Sequence, residues 1–359
     1  MQSKAEVGAP KNEALEALRG VAALTVFVYH AIQQWPDFPR GPLLFLHKGL
    51  IGVDLFLVIS GFVTTSSLLA LRASGRPDAD REYWRRRAAR IFPLFWLASV
   101  FYVFVAPFGT APLREGGAWF QVLTHVTMTH GFFPSTWISI NAVTWTLTLE
   151  GALYVFGWTM LRFADLERHA VRWTLAVFAA VIAWRSFVFF CLPPERHAHM
   201  VTQLFGMLDG FWLGLLMAVV VHRGRFTPAS WSFAARTALA VAGLLGVHGL
   251  VSVMEAAGPA YWQSPWCVVL VRTGLACAFA ALLCVVLGVR SFPRWLAPLA
   301  HAGTISYGIY LWHLPVLLCL LQWDAAPWLR AAAGLAITLV LSEASYRWFE
   351  APIVRRVRR

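Results

Sequence analysis

The sequence predicts an all-α, polytopic integral membrane protein with about ten transmembrane helices, forming a single domain over residues 1–359. Hydrophobic residues make up 58% of the chain and charged residues only 13%, whereas roughly a quarter of the residues of a soluble domain are charged. Apolar stretches of about 20 residues, each long enough to cross a bilayer, recur along nearly the whole chain. This composition excludes an ordinary water-soluble enzyme.

Polar or proline-containing connectors separate the predicted spans. The spans cover residues 14–34, 49–71, 91–109, 142–162, 173–192, 201–221, 234–254, 266–289, 302–322 and 328–349. The connector 110–141 is long and rich in aromatic residues and glycine. It is interpreted as a re-entrant or interfacial loop, or as a lid.

The positions of lysine and arginine predict the orientation, because basic connectors stay on the cytoplasmic side. With the N-terminus inside, only four basic residues fall outside: Arg40, Lys48, Arg114 and Arg196. We therefore expect a multi-pass protein of the cell inner (plasma) membrane with both termini cytoplasmic. The net charge of +12 is explained by segments that face anionic membrane lipids, so no nucleic-acid partner is expected.

Ionisable residues inside the predicted spans are costly in lipid, so they mark either functional groups or buried ion pairs. They are Arg19, His30, Asp54, Glu150, Arg185, Asp209, Arg272, His313, Glu343 and Arg347. The five cysteines show no CxxC pairing, so neither a disulfide framework nor a metal site is indicated.

The first span, EALRGVAALTVFVYH, carries Arg19 and His30 on one face of a helix, about three turns apart. Gly20 and its small neighbours allow another helix or a ligand to approach closely. Arg19 can hold an anion and His30 can transfer protons. Alternatively, Arg19 reaches the lipid headgroups and His30 belongs to a structural polar network.

Three further stretches carry candidate site residues. Asp54, in GVDLFLVISGFV, could orient a histidine or pair with an arginine of the first helix, whereas Ser60 and Gly61 are interpreted as close-packing residues. In TWTLTLEGALYVF, Glu150 could accept a proton, hold His30 in one tautomer, or neutralise Arg185 or Arg272. The spacing does not decide among these roles.

The third stretch, YWRRRAARIFPLFW, places Arg86, Arg87 and Arg90 at helical spacing just before an apolar run. Guanidinium groups suit phosphate because they form forked, charge-assisted hydrogen bonds. Contact with lipid headgroups explains the same cluster equally well.

Together these motifs resemble the acyltransferase-3 family of integral membrane acyltransferases. The similarity lies in the Leu18–Gly20 motif with His30, Gly52–Phe56 with Ser60–Phe62, Arg86–Pro93, Trp145–Glu150 with Tyr154, Leu208–Gly210, Ser306–His313 and Tyr346–Pro352. The order spans almost the whole chain. In one respect the sequence departs from the family, because Gly151 stands where a second acidic residue is common. We also expect no soluble esterase-like domain, which some members carry, after VRRVRR.

The resemblance implies a membrane O-acyltransferase that moves an acyl group, usually acetyl, from acyl-CoA to a hydroxyl. The acceptor would be an envelope carbohydrate, a lipid-linked sugar or a small molecule, with membrane lipids around the protein and other envelope-biosynthesis proteins as partners. His30 would be the catalytic base, with Arg19 stabilising charge and Asp54 and Glu150 orienting these groups. Arg86, Arg87 and Arg90 would bind the acyl-CoA phosphates, with no permanently bound cofactor. The alternatives are an exporter of a glycan or acylated metabolite and a non-catalytic scaffold.

Overall fold

The structure, a computed structural model, describes residues 12–35, 47–105 and 117–358. Every regular element in these ranges is helical, and no strand is present among them. The α-helices are α1 (Glu13–Gln34), α2 (Ile51–Ala73), α3 (Ala79–Val105), α4 (Ala118–Val126), α5 (Trp145–Phe163), α6 (Leu166–Cys191), α7 (His197–Val201), α8 (Leu204–His222), α9 (Phe233–Ala257), α10 (Pro265–Leu287), α11 (Ala297–Thr304), α12 (Ser306–Cys319), α13 (Pro327–Ser345) and α14 (Ala351–Arg358).

The predicted all-α membrane fold is confirmed, but the count of about ten spans is not. Within the described ranges, seven helices are long and apolar enough to cross a membrane, or eight if one bent pair forms a span. The predicted spans 142–162 and 328–349 do form helices, α5 and α13, of 19 residues each. Neither contains a stretch of 18 residues apolar enough to be counted among the seven.

The third predicted span begins earlier than hydropathy indicated. Helix α3 starts at Ala79 rather than near residue 91 and runs through the basic cluster into the apolar part. Glu82 pairs with Arg85 and Arg86, three and four residues further on, at 2.5 and 2.6 Å. Such pairs, with acidic residues in the first turn, stabilise a polar helix start that hydropathy does not detect.

The predicted span 302–322 is not one straight helix. Its two halves, α11 and α12, meet at an angle of 69°, and α1 packs against both. A Cβ at Gly303 would lie only 1.7 Å from the Glu16 carbonyl oxygen, and one at Gly20 only 2.3 Å from the Leu299 carbonyl oxygen. Two facing glycines thus let α1 and α11 touch backbone to backbone, while the bend directs α12 along α1.

Helices α2 and α8 meet in the same way at the centre of the protein. A Cβ at Gly61 would lie 2.1 Å from the Phe211 carbonyl oxygen, and one at Gly214 would lie 2.0 Å from the Val58 carbonyl oxygen. Lipid supplies little hydrophobic drive for helix association, so close packing of small residues takes its place. The prediction that Gly61 is a close-packing residue is confirmed.

Buried ion pairs connect the helices around this centre, as the number of ionisable residues within spans predicted. The Arg185 guanidinium is fully buried and lies 3.0 Å from Asp209. Thr273 donates a hydrogen bond to the same carboxylate at 2.6 Å. These contacts join α6, α8 and α10, and each charge has the partner that a low-dielectric interior requires.

Only part of the connector 110–141 lies within the described residues. There, α4 exposes Trp119, Val122 and Leu123 and buries Gln121 and His125. Apolar side chains that face outwards, with polar side chains inside, are typical of a helix in contact with lipid. This arrangement agrees with an interfacial loop, while a lid role stays a prediction.

Candidate active site

A cavity of about 940 Å³ lies between α1, α2, α3, α5 and α12, and residues of the C-terminal segment 346–355 also line it. Its charged lining consists of six arginines and two glutamates: Arg19, Arg86, Arg87, Arg90, Arg347, Arg355, Glu16 and Glu150. Pockets for small molecules have volumes of roughly 300 to 1,000 Å³. The cavity is therefore large enough for a sizeable ligand, and its excess of positive charge favours an anionic one.

The three predicted arginines of α3 all line the cavity, but they differ in their partners. Arg86 pairs with Glu82 at 2.6 Å, and Arg90 pairs with Glu350 of the C-terminal segment. Arg87 makes no ion pair among the described residues. It lies over the ring of Tyr154, 5.9 Å from its centroid, and its buried Nε has no hydrogen-bond partner there.

Arg19 reaches the same cavity from α1, and its ion-pair partner lies in the same helix. Arg19 Nη1 lies 3.2 Å from Glu16 Oε2, one turn earlier in the helix. Arg90, Glu150 and Glu350 are close enough to interact with Arg19 electrostatically. Arg19 is therefore part of a mixed cluster of arginines and carboxylates.

Glu150 projects into the cavity from α5 and accepts hydrogen bonds from two hydroxyls. Ser60 Oγ of α2 donates to Glu150 Oε1 at 2.8 Å, and the Tyr154 hydroxyl donates to the same oxygen. None of the three partners expected from the sequence, His30, Arg185 and Arg272, is bonded to it. The interpretation of Ser60 as a packing residue was wrong, because the apolar run around Ser60 gave no sign of a carboxylate on a distant helix.

Asp54 lies away from the cavity lining. Its two carboxylate oxygens accept hydrogen bonds from Arg272 Nη1 of α10 at 2.8 and 3.0 Å, and both side chains are buried. The expected pairing with a histidine or with an arginine of the first helix is thus wrong. Arg272 lies 218 positions away, and helical periodicity cannot identify a partner at that separation.

His30 contacts a second histidine, His313 of α12. Their ring nitrogens, His30 Nδ1 and His313 Nε2, are 3.2 Å apart. His313 is buried and His30 is partly exposed. The ring of Tyr310, which lines the cavity, lies 5.8 Å from the His313 ring. His30 itself is not a lining residue, and the sequence did not predict its pairing with His313.

The bend between α11 and α12 brings the start of α12 to the cavity. Ser306, the first residue of α12, is buried, and its hydroxyl has no hydrogen-bond partner among the described residues. The neighbouring Tyr307 ring lies under Arg90, 5.5 Å from the guanidinium carbon. Because the N-terminus of a helix carries partial positive charge, it adds to the attraction for anions.

The C-terminal segment completes this side of the cavity. Glu350 ends a π-helical turn, Tyr346–Glu350, that continues α13, and its carboxylate pairs with Arg90. Burial raises the pKa of Glu350 above its ordinary value, although Arg90 and Arg19 oppose this shift. No sequence signal linked Arg90 to a carboxylate 260 positions away.

Comparison with known proteins identifies the class to which this membrane fold and cavity belong. Residues 12–347 match the family described as "Acyltransferase domain", and the chain belongs to this acyltransferase-3 family of membrane acyltransferases. No solved structure matches it.

Among curated proteins, the chain is 25% identical to the peptidoglycan O-acetyltransferase OatA of Listeria monocytogenes, over 94% of this chain and 55% of the relative. It is 28% identical to the putative membrane-bound transacylase BcsY of Komagataeibacter xylinus, over 94% of this chain and 82% of the relative. It is also 26% identical to the putative peptidoglycan O-acetyltransferase YrhL of Bacillus subtilis, over 94% of this chain and 54% of the relative. The chain thus spans about half the length of OatA and YrhL.

Proposed function

We propose that the protein is a membrane O-acyltransferase that moves an acetyl group from acetyl-CoA to a hydroxyl of an envelope carbohydrate or another exported acceptor. Membership of the acyltransferase-3 family and the relatives named as O-acetyltransferases support the reaction class. The observation that carries the choice of donor is the cavity of about 940 Å³ lined by six arginines.

The donor is the ligand that best matches this lining. Coenzyme A carries several phosphate groups on one end and a long, mostly uncharged arm that ends in the thioester. Arg87, which has no carboxylate partner among the described residues, would bind a phosphate, with Arg86 and Arg90 contributing through their outer N–H groups. The hydroxyl-rich wall formed by Ser60 and Tyr154 is then available to the uncharged arm.

His30 is the base in this proposal. The proton of the acceptor hydroxyl goes to an imidazole nitrogen of His30, and the freed oxygen lone pair attacks the thioester carbonyl carbon. A C–O bond forms, the C–S bond breaks, and the departing coenzyme A thiolate takes the proton back from the imidazolium. Arg19, which lines the cavity about three helical turns from His30, would stabilise negative charge on the donor.

The same residues indicate which side of the membrane the donor site would face. The arginine-rich part of the cavity includes Arg19 of the first helix and Arg355 of the last. Basic segments are retained in the cytoplasm, so this side would face the cytoplasm, where acyl-CoA is made. The acceptor would then reach His30 from the opposite side of the inner membrane.

The proposal is tested with purified protein in detergent, radiolabelled acetyl-CoA and a panel of glycan and small-molecule acceptors. We expect label transfer, or slow release of free coenzyme A when no acceptor is present, and loss of both in a His30→Ala variant. If neither exceeds the His30→Ala background, the enzyme function is excluded. Transport of an unmodified glycan into proteoliposomes by the same preparation would then identify an exporter.

A further inference from the structure

The contact between His30 and His313 has a defined donor and acceptor, although both are histidines. His313 Nδ1 lies 3.0 Å from the carbonyl oxygen of Ile309. A carbonyl can only accept, so this nitrogen carries the hydrogen. In neutral His313 the other nitrogen, Nε2, is therefore a bare acceptor, and it is this atom that faces His30.

The same reasoning fixes the tautomer of His30. Its Nδ1 lies 3.0 Å from the carbonyl oxygen of Val26 and 3.2 Å from His313 Nε2. Both neighbours are acceptors, so Nδ1 carries the hydrogen and shares it between them. The lone pair of neutral His30 is then on Nε2, which makes no hydrogen bond to the residues that the structure describes.

We infer that His313 is a positioning residue: it accepts the Nδ1 hydrogen of His30 and so leaves His30 Nε2 as the nitrogen that takes the acceptor's hydroxyl proton. This inference rests on the proposed function. It assigns to His313 the part that the sequence had left to Asp54 or Glu150, both of which are bonded to other residues. The group that accepts the Nδ1 hydrogen of His30 is thus a second neutral imidazole and not a carboxylate.

The arrangement suits a base that must gain and lose a proton in each cycle. When Nε2 takes the acceptor proton, the Nδ1 hydrogen keeps its bonds to His313 and to the Val26 carbonyl, so the ring need not rotate. The proton then leaves from Nε2 to the coenzyme A thiolate. A base held in one tautomer avoids the reorganisation that would otherwise slow each transfer.

Packing holds His313 in place independently of any substrate. It is buried on α12, whose Gly308 lies so close to α13 that a Cβ there would come 3.0 Å from Ser342. The Phe27 and His313 rings make an edge-on contact, with centroids 6.5 Å apart. Tyr310, one turn earlier, lines the cavity, so α12 links the histidine pair to the donor site.

The test compares His313→Gln with His313→Leu. A glutamine amide oxygen can take the place of Nε2 as an acceptor, whereas leucine fills the space without one. We expect His313→Leu to lower kcat about a hundredfold and leave the KM for acetyl-CoA unchanged, because residues that orient a reacting group typically contribute on the order of 10- to 100-fold. We expect His313→Gln to recover most of this loss, and the exposed His248→Leu variant to match the wild type.

Nitrogen-15 NMR of histidine-labelled protein in lipid supplies a readout independent of activity. It reports which ring nitrogen of His30 carries the hydrogen and whether that hydrogen is bonded to a nitrogen of His313. The expected result is Nδ1–H on His30 with an N–H···N contact, absent in His313→Leu. Full turnover of His313→Leu, or an Nε2–H tautomer of His30 in the wild type, would overturn the inference while leaving a transferase that depends on His30. Wild-type protein that transfers no acetyl group would instead overturn the proposed function, and the NMR result would still decide the histidine geometry.

Discussion

Ser60 of α2 donates a hydrogen bond to Glu150 of α5 across 2.8 Å, and this contact forms part of the cavity wall. The Tyr154 hydroxyl donates to the same carboxylate oxygen. One carboxylate thus fixes two hydroxyls that face the proposed acyl-CoA site. Hydrogen bonds to an ionised group are worth more than those between neutral groups, on the order of 1.5 to 3 kcal/mol each.

Glu150→Gln should lower kcat/KM for acetyl-CoA about tenfold to a hundredfold, because both hydroxyls would then donate to a neutral amide oxygen and their hydrogen bonds would lose the assistance of the negative charge. Glu195→Gln, at an exposed glutamate in a connector, is the control and should behave as the wild type. Steady-state kinetics of the three proteins measure the difference. Unchanged kinetics of Glu150→Gln would show that the negative charge of Glu150 does not contribute to the reaction.

Arg87→Gln should raise the KM for acetyl-CoA by roughly tenfold or more and leave kcat nearly unchanged, because a charge-assisted bond to a phosphate would be lost. Arg86→Gln is the matched variant and should have a smaller effect, since Arg86 is already paired with Glu82. The KM of the Arg87→Gln variant for acetyl-CoA should also depend less on salt concentration than the KM of the wild type. An equal effect of the two variants would mean that the absence of a carboxylate partner does not single out Arg87.

Arg272→Leu should lower the free energy of unfolding by about 3 to 5 kcal/mol, because it leaves Asp54 buried and unpaired. The double variant Asp54→Leu/Arg272→Leu should recover much of this loss, since no uncompensated charge remains. Unfolding in detergent, followed by tryptophan fluorescence, gives the free energies of the wild type, of the Arg272→Leu and Asp54→Leu single variants and of the double variant. If the double variant were as unstable as the sum of the single ones, Asp54 and Arg272 would not be coupled.

A buried histidine in the loop before α5, His130, should make the protein less stable in acid. Burial lowers the pKa of His130 to about 3, from an ordinary value of 6.5, and the stacked His125 lowers it further. The folded state therefore excludes a proton that the unfolded state binds, so the stabilising contribution is complete above pH 6.5 and falls as the pH drops towards 3.

His130→Gln should reduce this acid-side dependence by about 1.4 kcal/mol per pH unit, the value for one proton. Thermal unfolding of both proteins between about pH 4 and about pH 7 provides the measurement. If stability fell equally with pH in the two proteins, His130 would not be held neutral in the folded state.

The sequence predicted the elements of this protein better than their pairing. Hydropathy located most of the long helices, because a span must be apolar over its whole length. It missed the start of α3 and the bend after Gly303, since the first depends on charge pairs within one helix and the second on backbone contact with α1. A hydropathy value averaged over a window of residues does not report such features.

The same distinction holds for the site. Arg19 and Glu150 were predicted as candidates because charges within spans are rare, and Arg87 because it belongs to a cluster of arginines suited to phosphate. The structure places all three at the cavity. The partners of Asp54 and His30 were not predicted, since Arg272 and His313 come from helices more than 200 positions away. Only the packing of α10 and α12 on the first two helices determines those pairs.

The most direct test of the account separates donor binding from transfer in one variant. Purified His30→Ala protein is incubated with radiolabelled acetyl-CoA, and bound label, free coenzyme A and acetylated acceptor are measured beside the wild type. We predict binding of acetyl-CoA with wild-type affinity and no acetylated acceptor or free coenzyme A, because the arginine-lined cavity is intact and only the base is missing. Transfer by His30→Ala at the wild-type rate would contradict the account.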